Sequence, residues 1–187
     1  PNYDLIRKLA AECRMPLCYG GGVKSVEQVE RIINMGVEKI AMSSAAVQNP
    51  ELVARIARAV GSQSVVVVLD VRRSAPGSGY EVWTHNGGRP TGTSPMEFAV
   101  KMENLGAGEI VINSVDNDGM MGGYDLALAR KVRESITLPM TVLGGAGTLK
   151  DIGELVKAFG IVGAAAGSLF VFKGIYRAVL INYPSRL

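Results

Sequence analysis

The chain contains little cysteine and histidine, and it has no long apolar run. Its two cysteines, Cys13 and Cys18, flank Pro16 at a spacing that fits neither a zinc site nor a disulfide framework. No uncharged apolar stretch of about 18 residues occurs, and residues 1–10 lack the basic and apolar regions of a signal peptide. We therefore expect reduced thiols, no bound metal, no membrane insertion and a cytoplasmic location.

Neither sign of charge is strongly in excess. Twenty Lys and Arg against 17 Asp and Glu give a net charge of +3, and aromatic residues make up only 6% of the chain. The basic residues are scattered, whereas a nucleic-acid surface needs a basic patch with interleaved aromatics. We therefore expect no nucleic-acid partner. With 187 residues, 48% of them hydrophobic, and no low-complexity linker, the chain is expected to form a single domain over residues 1–187.

Short apolar runs alternate with segments of helical periodicity, which is the pattern of βαβ units around a parallel sheet. Six strands are predicted, at Leu17–Tyr19, Lys39–Met42, Ser64–Asp70, Glu109–Asn113, Met140–Leu143 and Val162–Ala166. The helices predicted between them are Val26–Met35, Pro50–Val60, Pro95–Leu105, Leu126–Ser135 and Leu149–Phe159. Residues 71–92 depart from this alternation and predict a β-hairpin insertion that turns at Asn86 and Gly87.

A segment near the start of the chain recurs near its end. The segments that begin at Met15 and Leu138 share one plan, namely proline, apolar strand, glycines, amphipathic helix, glycine, second strand and a turn of small residues. Six strands could form an open doubly wound sheet, but a half-chain repeat favours a barrel, whose halves can be superposed. A complete (β/α)8 TIM barrel runs to about 250 residues. We therefore expect an incomplete barrel of about six βα units, corresponding to strands 3 to 8, without the first two strands.

The repeat aligns two pairs of short loops. We call them the front loops, Gly20–Gly22 with Ser43 and Ser44, and the back loops, Gly144 and Gly145 with Gly167 and Ser168. Glycines between a strand and a helix let backbone N–H groups approach a phosphate, and a serine hydroxyl adds a further donor. Tight turns alone can also require glycine. Four such loops in two matching pairs nevertheless favour phosphate binding, and they predict a ligand with a phosphate at each end.

Asp70 ends the most apolar run of the chain. Its carboxylate is therefore expected at the carboxyl end of a buried strand, a position suited to general acid or base chemistry. The alternative is that Asp70 only forms an ion pair with Arg72 or Arg73.

An acidic loop follows the next strand. The run containing Asn113, Asp116, Asp118 and Gly119 superficially resembles a calcium-binding loop, but it lacks the later glutamate and the flanking helices. We predict that it binds substrate rather than metal.

Charged residues also begin two predicted strands, at the end opposite Asp70. Lys39 and Glu109 lie where charges in an α/β barrel usually serve stability. His85, the only histidine, falls in the predicted hairpin, and its position alone indicates no role.

Taken in order, several runs of the chain resemble the cyclase subunit of imidazole glycerol phosphate synthase. They are YGGGVKSVEQVERIINMGVEKIAMSSAAVQNPELV, SVVVVLDVRR, THNGGRPTG, LGAGEIVINSVDNDGMMGGYD, LGGAG and AAGSLF, and together they cover essentially the whole chain. The resemblance implies a barrel that takes ammonia from a glutaminase (glutamine amidotransferase) partner and needs no metal or organic cofactor. The substrate it implies is the bisphosphate N′-(phosphoribulosyl)formimino-AICAR phosphate (PRFAR). The implied products, made in histidine biosynthesis, are imidazole glycerol phosphate and AICAR.

The resemblance also implies roles for individual residues. Asp70 corresponds to one of two catalytic aspartates, and Lys39 and Glu109 correspond to members of a charged ring through which ammonia enters. One phosphate site would hold Gly22, Ser43 and Ser44, and the other would hold Asp118, Gly119, Gly145, Gly167 and Ser168. The other catalytic aspartate and the lysine of the loop after it have no counterpart here. The chain alone is therefore expected to be inactive or nearly so in cyclisation.

Two alternatives follow from departures within this pattern. The segments PNYDLIRKLAAEC, PLCYGGG and AAGSLFVFKGIYRAVLINYP are more similar to cyclase-like paralogues of surface-polysaccharide (LPS, O-antigen) gene clusters, for which the resemblance implies ammonia delivery toward amidination of an acetamido sugar. Cys18 and Tyr19, and also Ser43 and Ser44, replace the residues usual in the family. The third hypothesis is a non-catalytic barrel fragment that self-associates through its exposed sheet edges.

Overall fold

A computed structural model of the protein describes residues 1–74, 79–85, 87–174 and 176–181. Its main strands and the helices between them alternate along the chain. The strands of the main sheet are β1 (Cys18–Gly20), β2 (Lys39–Met42), β3 (Val65–Arg73), β4 (Tyr80–Thr84), β5 (Arg89–Pro90), β6 (Glu109–Ser114), β7 (Met140–Leu143) and β8 (Gly163–Ala164). The helices are α1 (Tyr3–Glu12), α2 (Val26–Ile33), α3 (Ser44–Gln48), α4 (Glu51–Val60), α5 (Pro95–Asn104), α6 (Leu126–Ser135), α7 (Leu149–Phe159) and α8 (Ser168–Val171).

Six of these strands are parallel neighbours in the order β1-β2-β3-β6-β7-β8. Strand β4 pairs antiparallel with the end of β3, and β5 pairs with β4, so these strands form a hairpin on the sheet. A separate short pair, β9 (Phe172–Lys173) and β10 (Ala178–Val179), lies near the end of the chain. Parallel strands joined by helices in this order form an incomplete TIM-type barrel, as the sequence predicted.

Alternate residues of each strand point to opposite faces of the sheet. One face is covered by the helices and holds most of the core, including Ile40, Met42, Val65, Val67, Leu69, Ile110, Ile112, Met140 and Val142. The opposite, inner face carries polar side chains at its two ends. Lys39 and Glu109 lie at the amino ends of their strands, and Asp70 and Asn113 lie toward the carboxyl ends. The inner face is therefore the part of the fold that presents reactive groups.

The observed bounds differ from the predicted ones at a few places. Strand β3 continues from Asp70 to Arg73 because its last residues pair with β4, as in the register Arg73 with Tyr80. Strand β8 is limited to Gly163–Ala164. Helix α1 was not predicted; Asn2 caps it by accepting from the Leu5 N–H at 3.2 Å, and Ile6 is buried.

The predicted hairpin is confirmed as the β4–β5 pair, although Asn86 of its turn lies outside the described residues. Within the described part of the chain, no helix combines the length and apolar character needed to cross a membrane.

Candidate active site

The Asp70 carboxylate is held by the two strands that flank β3. Its Oδ2 accepts a hydrogen bond from Ser43 Oγ at 2.9 Å, and its Oδ1 accepts one from Asn113 Nδ2 at 2.9 Å. Ser43 directly follows β2, and Asn113 lies opposite Asp70 in the β3–β6 register. Parallel pairing therefore brings together three residues that are 27 and 43 positions apart in the chain.

The two arginines that could have neutralised Asp70 pair with other carboxylates. Arg72 Nε lies 3.7 Å from Asp116 Oδ1, and Arg73 Nη2 lies 3.0 Å from Asp125 Oδ2. The alternative of an Asp70–Arg ion pair is therefore wrong. Within the described residues, Asp70 is held by uncharged donors, which leaves its charge available to a bound molecule.

Asn113 has one amide atom without a partner. Its Oδ1 is buried and accepts no hydrogen bond from the described residues. A buried acceptor without a hydrogen bond calls for an explanation, and a functional role is a common explanation. Here the unmet oxygen belongs to the residue that holds Asp70.

A cleft of about 490 Å³ opens beside Asp70. It is lined by both front loops and by three charged or titratable residues, so that its wall includes Gly20, Gly21, Gly22, Lys24, Ser43, Ser44, Asp70 and His85. Gly21 and Gly22 have φ values of +131° and +67°, which favour glycine. Apart from the chain neighbours of each glycine, no described residue comes nearer than 3.9 Å to a Cβ built at either position, so these two turns are open rather than filled by protein.

The back loops have a different environment, because the acidic loop after β6 packs on them. Gly123 N–H donates to the Gly145 carbonyl at 2.8 Å, and a Cβ at Gly145 would collide with the Gly123 carbonyl oxygen. A Cβ at Gly144 would lie 2.6 Å from the Ser114 carbonyl oxygen. These glycines are therefore required for close packing, whatever ligand they bind.

The other predicted residues of the second phosphate site lie in the acidic loop and at the start of α8. Asp118 is exposed and Gly119 has φ +73° in the acidic loop, while Gly167 is the N-cap of α8 and Ser168 its first residue. Tyr124 Oη donates to the Ala165 carbonyl at 3.0 Å and so ties the acidic loop to the segment after β8.

A second polar cluster lies at the opposite end of the inner face. Lys39 Nζ is 2.6 Å from Glu109 Oε2, and Thr141 Oγ1 donates to Glu109 Oε1 at 2.7 Å. Cys18 lies nearby, and partial desolvation of its thiol, followed by the charge of Glu109, raises the pKa of that thiol, although the residue as a whole is exposed. These four residues line a mostly apolar cavity of about 350 Å³.

Sequence reasoning missed three contributors to these sites. Thr141 completes the second polar cluster, that of Lys39 and Glu109. It could have been found from its place on the strand next to the one that carries Glu109. His85 and Lys24 line the cleft beside Asp70. His85 could have been found from its hairpin, which follows the strand that carries Asp70.

The fold and these clusters define an α/β-barrel protein with a carboxylate between paired glycine loops. The chain belongs to the histidine biosynthesis protein family, whose profile matches residues 1–176. This membership agrees with the resemblance found in the sequence.

Individual relatives match nearly the whole chain. A Vibrio vulnificus protein with the provisional name imidazole glycerol phosphate synthase subunit hisF3 is 54% identical over 99% of this chain and 71% of its own length. A Leptospira interrogans protein, provisionally named subunit HisF of the same enzyme, is 54% identical over 100% of this chain and 73% of its own. Imidazole glycerol phosphate synthase subunit HisF of Thermobifida fusca is 42% identical over 91% of this chain and 68% of its own length.

Proposed function

We propose that this chain is a cyclase subunit of the imidazole glycerol phosphate synthase type, and that it acts on PRFAR and ammonia to give imidazole glycerol phosphate and AICAR. One observation carries the proposal. The sheet order places the front loops after β1 and β2 and the back loops after β7 and β8, with Asp70 and Asn113 on the two strands between them.

This order suits a ligand that bears two phosphates. Neighbouring strands lie about 4.8 Å apart, so β2 and β7 are separated by roughly 14 Å along the sheet. A molecule held by a phosphate at each end would present its middle to Asp70. Fixing both ends orients the reacting middle of the ligand for ring closure.

Asp70 is the proposed acid or base of that step. Condensation of ammonia with the carbonyl releases water, and ring closure onto the formimino carbon breaks the C–N bond to AICAR. Protons must therefore leave the ammonia nitrogen and reach both the departing oxygen and the departing AICAR amine. A carboxylate held by Ser43 and Asn113 is positioned for such transfers without being neutralised by a cation.

Ammonia is proposed to enter from the other end of the inner face. The Lys39–Glu109 pair and Thr141 lie at the amino ends of their strands, beside the cavity that also contains Cys18. A glutaminase partner docked at this end would release ammonia next to that cluster. The proposed route then runs along the inner face toward Asp70.

The direct test is turnover of PRFAR by this chain, with either ammonium ions or the glutaminase partner and glutamine as the nitrogen source. As the resemblance implies for the chain alone, we expect slow turnover at most, with AICAR and imidazole glycerol phosphate formed in equal amounts and their formation dependent on Asp70. Tight binding of PRFAR without turnover would support the site but reject the reaction for the chain alone. Absence of both binding and turnover would reject the proposal.

One contact favours a different substrate as the molecule that receives ammonia. Ser43, one of the departures from the usual family pattern, donates directly to Asp70 rather than lying at the edge of the site. The alternative proposal is that the chain serves amidination of an acetamido sugar in surface-polysaccharide biosynthesis. Supplying each acceptor in turn to the same preparation, with the same ammonia source, separates the two reactions.

A third proposal concerns the sheet edges. In the described sheet, β1 and β8 each have one parallel neighbour, and β1 has exposed residues. Such edges favour pairing between chains. Self-association without PRFAR binding would support a non-catalytic scaffold, and a monomer in light scattering at micromolar concentration would contradict it.

A further inference from the structure

His85 occupies a fixed position at the rim of the cleft beside Asp70. Its main-chain N–H donates to Ser44 Oγ at 3.1 Å, which joins the hairpin to the loop after β2. The Gly88 N–H donates to the Thr84 carbonyl at 3.0 Å, and Gly87 is buried so closely that a Cβ there would lie 2.8 Å from Val115 Cγ1. His85 and Gly87 therefore contact the residues that follow β2 and β6, respectively.

The backbone of His85 is in the left-handed region, with φ +55°. Residues other than glycine adopt this conformation infrequently, and histidine is one of those that tolerate it better. The tight turn thus places an imidazole on the cleft wall, where Gly21, Gly22, Ser43 and Asp70 also lie.

One ring nitrogen of His85 is already engaged. Nδ1 lies 3.0 Å from Oγ1 of Thr84, whose side chain is buried. The described structure shows no hydrogen bond at Nε2, and Asp70 receives its hydrogen bonds from Ser43 and Asn113 rather than from the imidazole. The free ring nitrogen is therefore available to a molecule in the cleft.

The charges around the cleft indicate what kind of molecule this is. Lys24 lines the cleft, Asp70 is the carboxylate on its wall, and His85 adds a nitrogen donor. Open glycine turns at Gly21 and Gly22 offer backbone N–H groups in the same space. Ammonium, imidazole and amide donors together suit a phosphate monoester, whose oxygens are all acceptors.

We propose that His85 Nε2 donates to the phosphate held at the front loops, so that the hairpin supplies a ligand contact in the cleft that Lys24 also lines. The inference rests on the phosphate-bearing ligand of the proposed function and does not depend on which reaction follows. It makes His85 a ligand-binding residue that distinguishes phosphorylated from unphosphorylated molecules.

The chain's single histidine allows a direct measurement. With ¹³C- and ¹⁵N-labelled histidine, the NMR signals of the imidazole come from one ring. These signals can be followed at constant pH during titration with glycerol 3-phosphate and, separately, with glycerol. We expect a saturable shift with glycerol 3-phosphate and no shift with glycerol. An imidazole signal that phosphate-bearing probes leave unmoved would overturn the inference.

A pair of variants tests the contact energetically. His85→Asn retains a residue that tolerates the left-handed region but removes the imidazole, and Arg89→Gln removes a charge from an exposed position of the same hairpin that does not line the cleft. We expect His85→Asn to weaken glycerol 3-phosphate binding by about ten- to a hundred-fold, because that is the range of one hydrogen bond to a charged group. Arg89→Gln should leave the affinity unchanged. Equal affinity in His85→Asn and the parent protein would also overturn the inference.

These measurements separate the two proposals. If PRFAR is not turned over but glycerol 3-phosphate still shifts the imidazole signal, the reaction fails and the contact stands. If PRFAR is turned over with no movement of that signal and no loss of affinity in His85→Asn, the contact fails and the reaction stands.

Discussion

Asn113 donates its Nδ2 to Asp70 Oδ1 at 2.9 Å across the β3–β6 pair. The contact joins the strands at the middle of the sheet, between the front loops and the back loops. It also leaves Asn113 Oδ1 buried without a partner in the described structure. The centre of the site is therefore a carboxylate fixed in orientation, beside an acceptor that no described group satisfies.

Replacing Asp70 with Asn should lower turnover while leaving ligand binding nearly intact. The amide retains the size of the carboxylate but loses its capacity to exchange protons, and acid–base groups contribute about 10² to 10⁴ in rate. Steady-state turnover and calorimetric affinity measured on the same preparation check this expectation. Asp4→Asn is the matched control, since Asp4 is a largely exposed carboxylate of α1 that does not line the cleft. An unchanged rate in Asp70→Asn would remove Asp70 from the mechanism.

Replacing Glu109 with Gln should impair the use of ammonia released by the glutaminase partner but not the use of added ammonium ions. The amide can still accept from Thr141, but it no longer offers a charge to Lys39 at 2.6 Å. We expect turnover with added ammonium ions to stay within about two-fold of the parent. Turnover with glutamine and the partner should fall by roughly ten-fold, on the scale of one hydrogen bond between charged groups. An equal fall with both nitrogen sources would indicate a structural role instead.

Replacing Gly145 with Ala should destabilise the protein and disturb the back loops. The new Cβ would collide with the Gly123 carbonyl, at a residue whose φ of +111° already disfavours a side chain. We expect a loss of about 2 kcal/mol or more in the free energy of unfolding. Gly153→Ala is the control, because Gly153 lies within α7 and a Cβ there meets nothing within 4 Å. That variant should gain roughly 0.5–1 kcal/mol. Urea unfolding of Gly145→Ala and Gly153→Ala measures the difference between their free energies of unfolding. Equal values would contradict the packing argument.

The Asp151 carboxylate at the start of α7 should stabilise the folded protein at neutral pH but not in acid. Burial alone would raise the pKa of Asp151, but N–H donors of Gly147 and Thr148, together with the Thr148 hydroxyl, outweigh it and lower the pKa below its ordinary value. A lowered pKa in the folded state means stability that is present above the unfolded-state pKa and lost as pH falls through the folded-state value.

Asp151→Asn should therefore reduce the difference between the free energies of unfolding at pH 6 and at pH 3. Chemical denaturation at both pH values measures this difference. Asp4→Asn serves as the control, because the Asp4 side chain is largely exposed and its ion pair with Arg7 is long, at 3.9 Å. If Asp151→Asn and the parent lose equal stability on acidification, the capping carboxylate makes no such contribution.

The strands and helices followed from local patterns where burial and periodicity were clear. Strands β2 and β7 and helices α6 and α7 have the predicted bounds, because each is an apolar or amphipathic run bounded by polar or small residues. The end of β3 did not follow, because Arg72 and Arg73 extend the strand only through pairing with β4, while Val71 pairs with both β4 and Ser114 of β6. Such a contact depends on a hairpin whose register the sequence does not give.

The site was predictable in position but not in its contacts. Asp70 was expected at the carboxyl end of a buried strand, yet the partners Ser43 and Asn113 come from neighbouring strands in space. The Arg73 guanidinium and the Tyr80 hydroxyl both bind Asp125, an arrangement set by tertiary packing alone. For the same reason the sequence indicated no role for His85, whose position depends on a turn held against two other loops.

The central claim is that one ligand bearing two phosphates spans the front and back loops over Asp70. Isothermal titration calorimetry of this chain with PRFAR, and separately with inorganic phosphate, tests it most directly. We predict that PRFAR binds at least 100-fold more tightly, about 2.7 kcal/mol, because two linked phosphate contacts act together. PRFAR binding no tighter than that of inorganic phosphate would contradict the account.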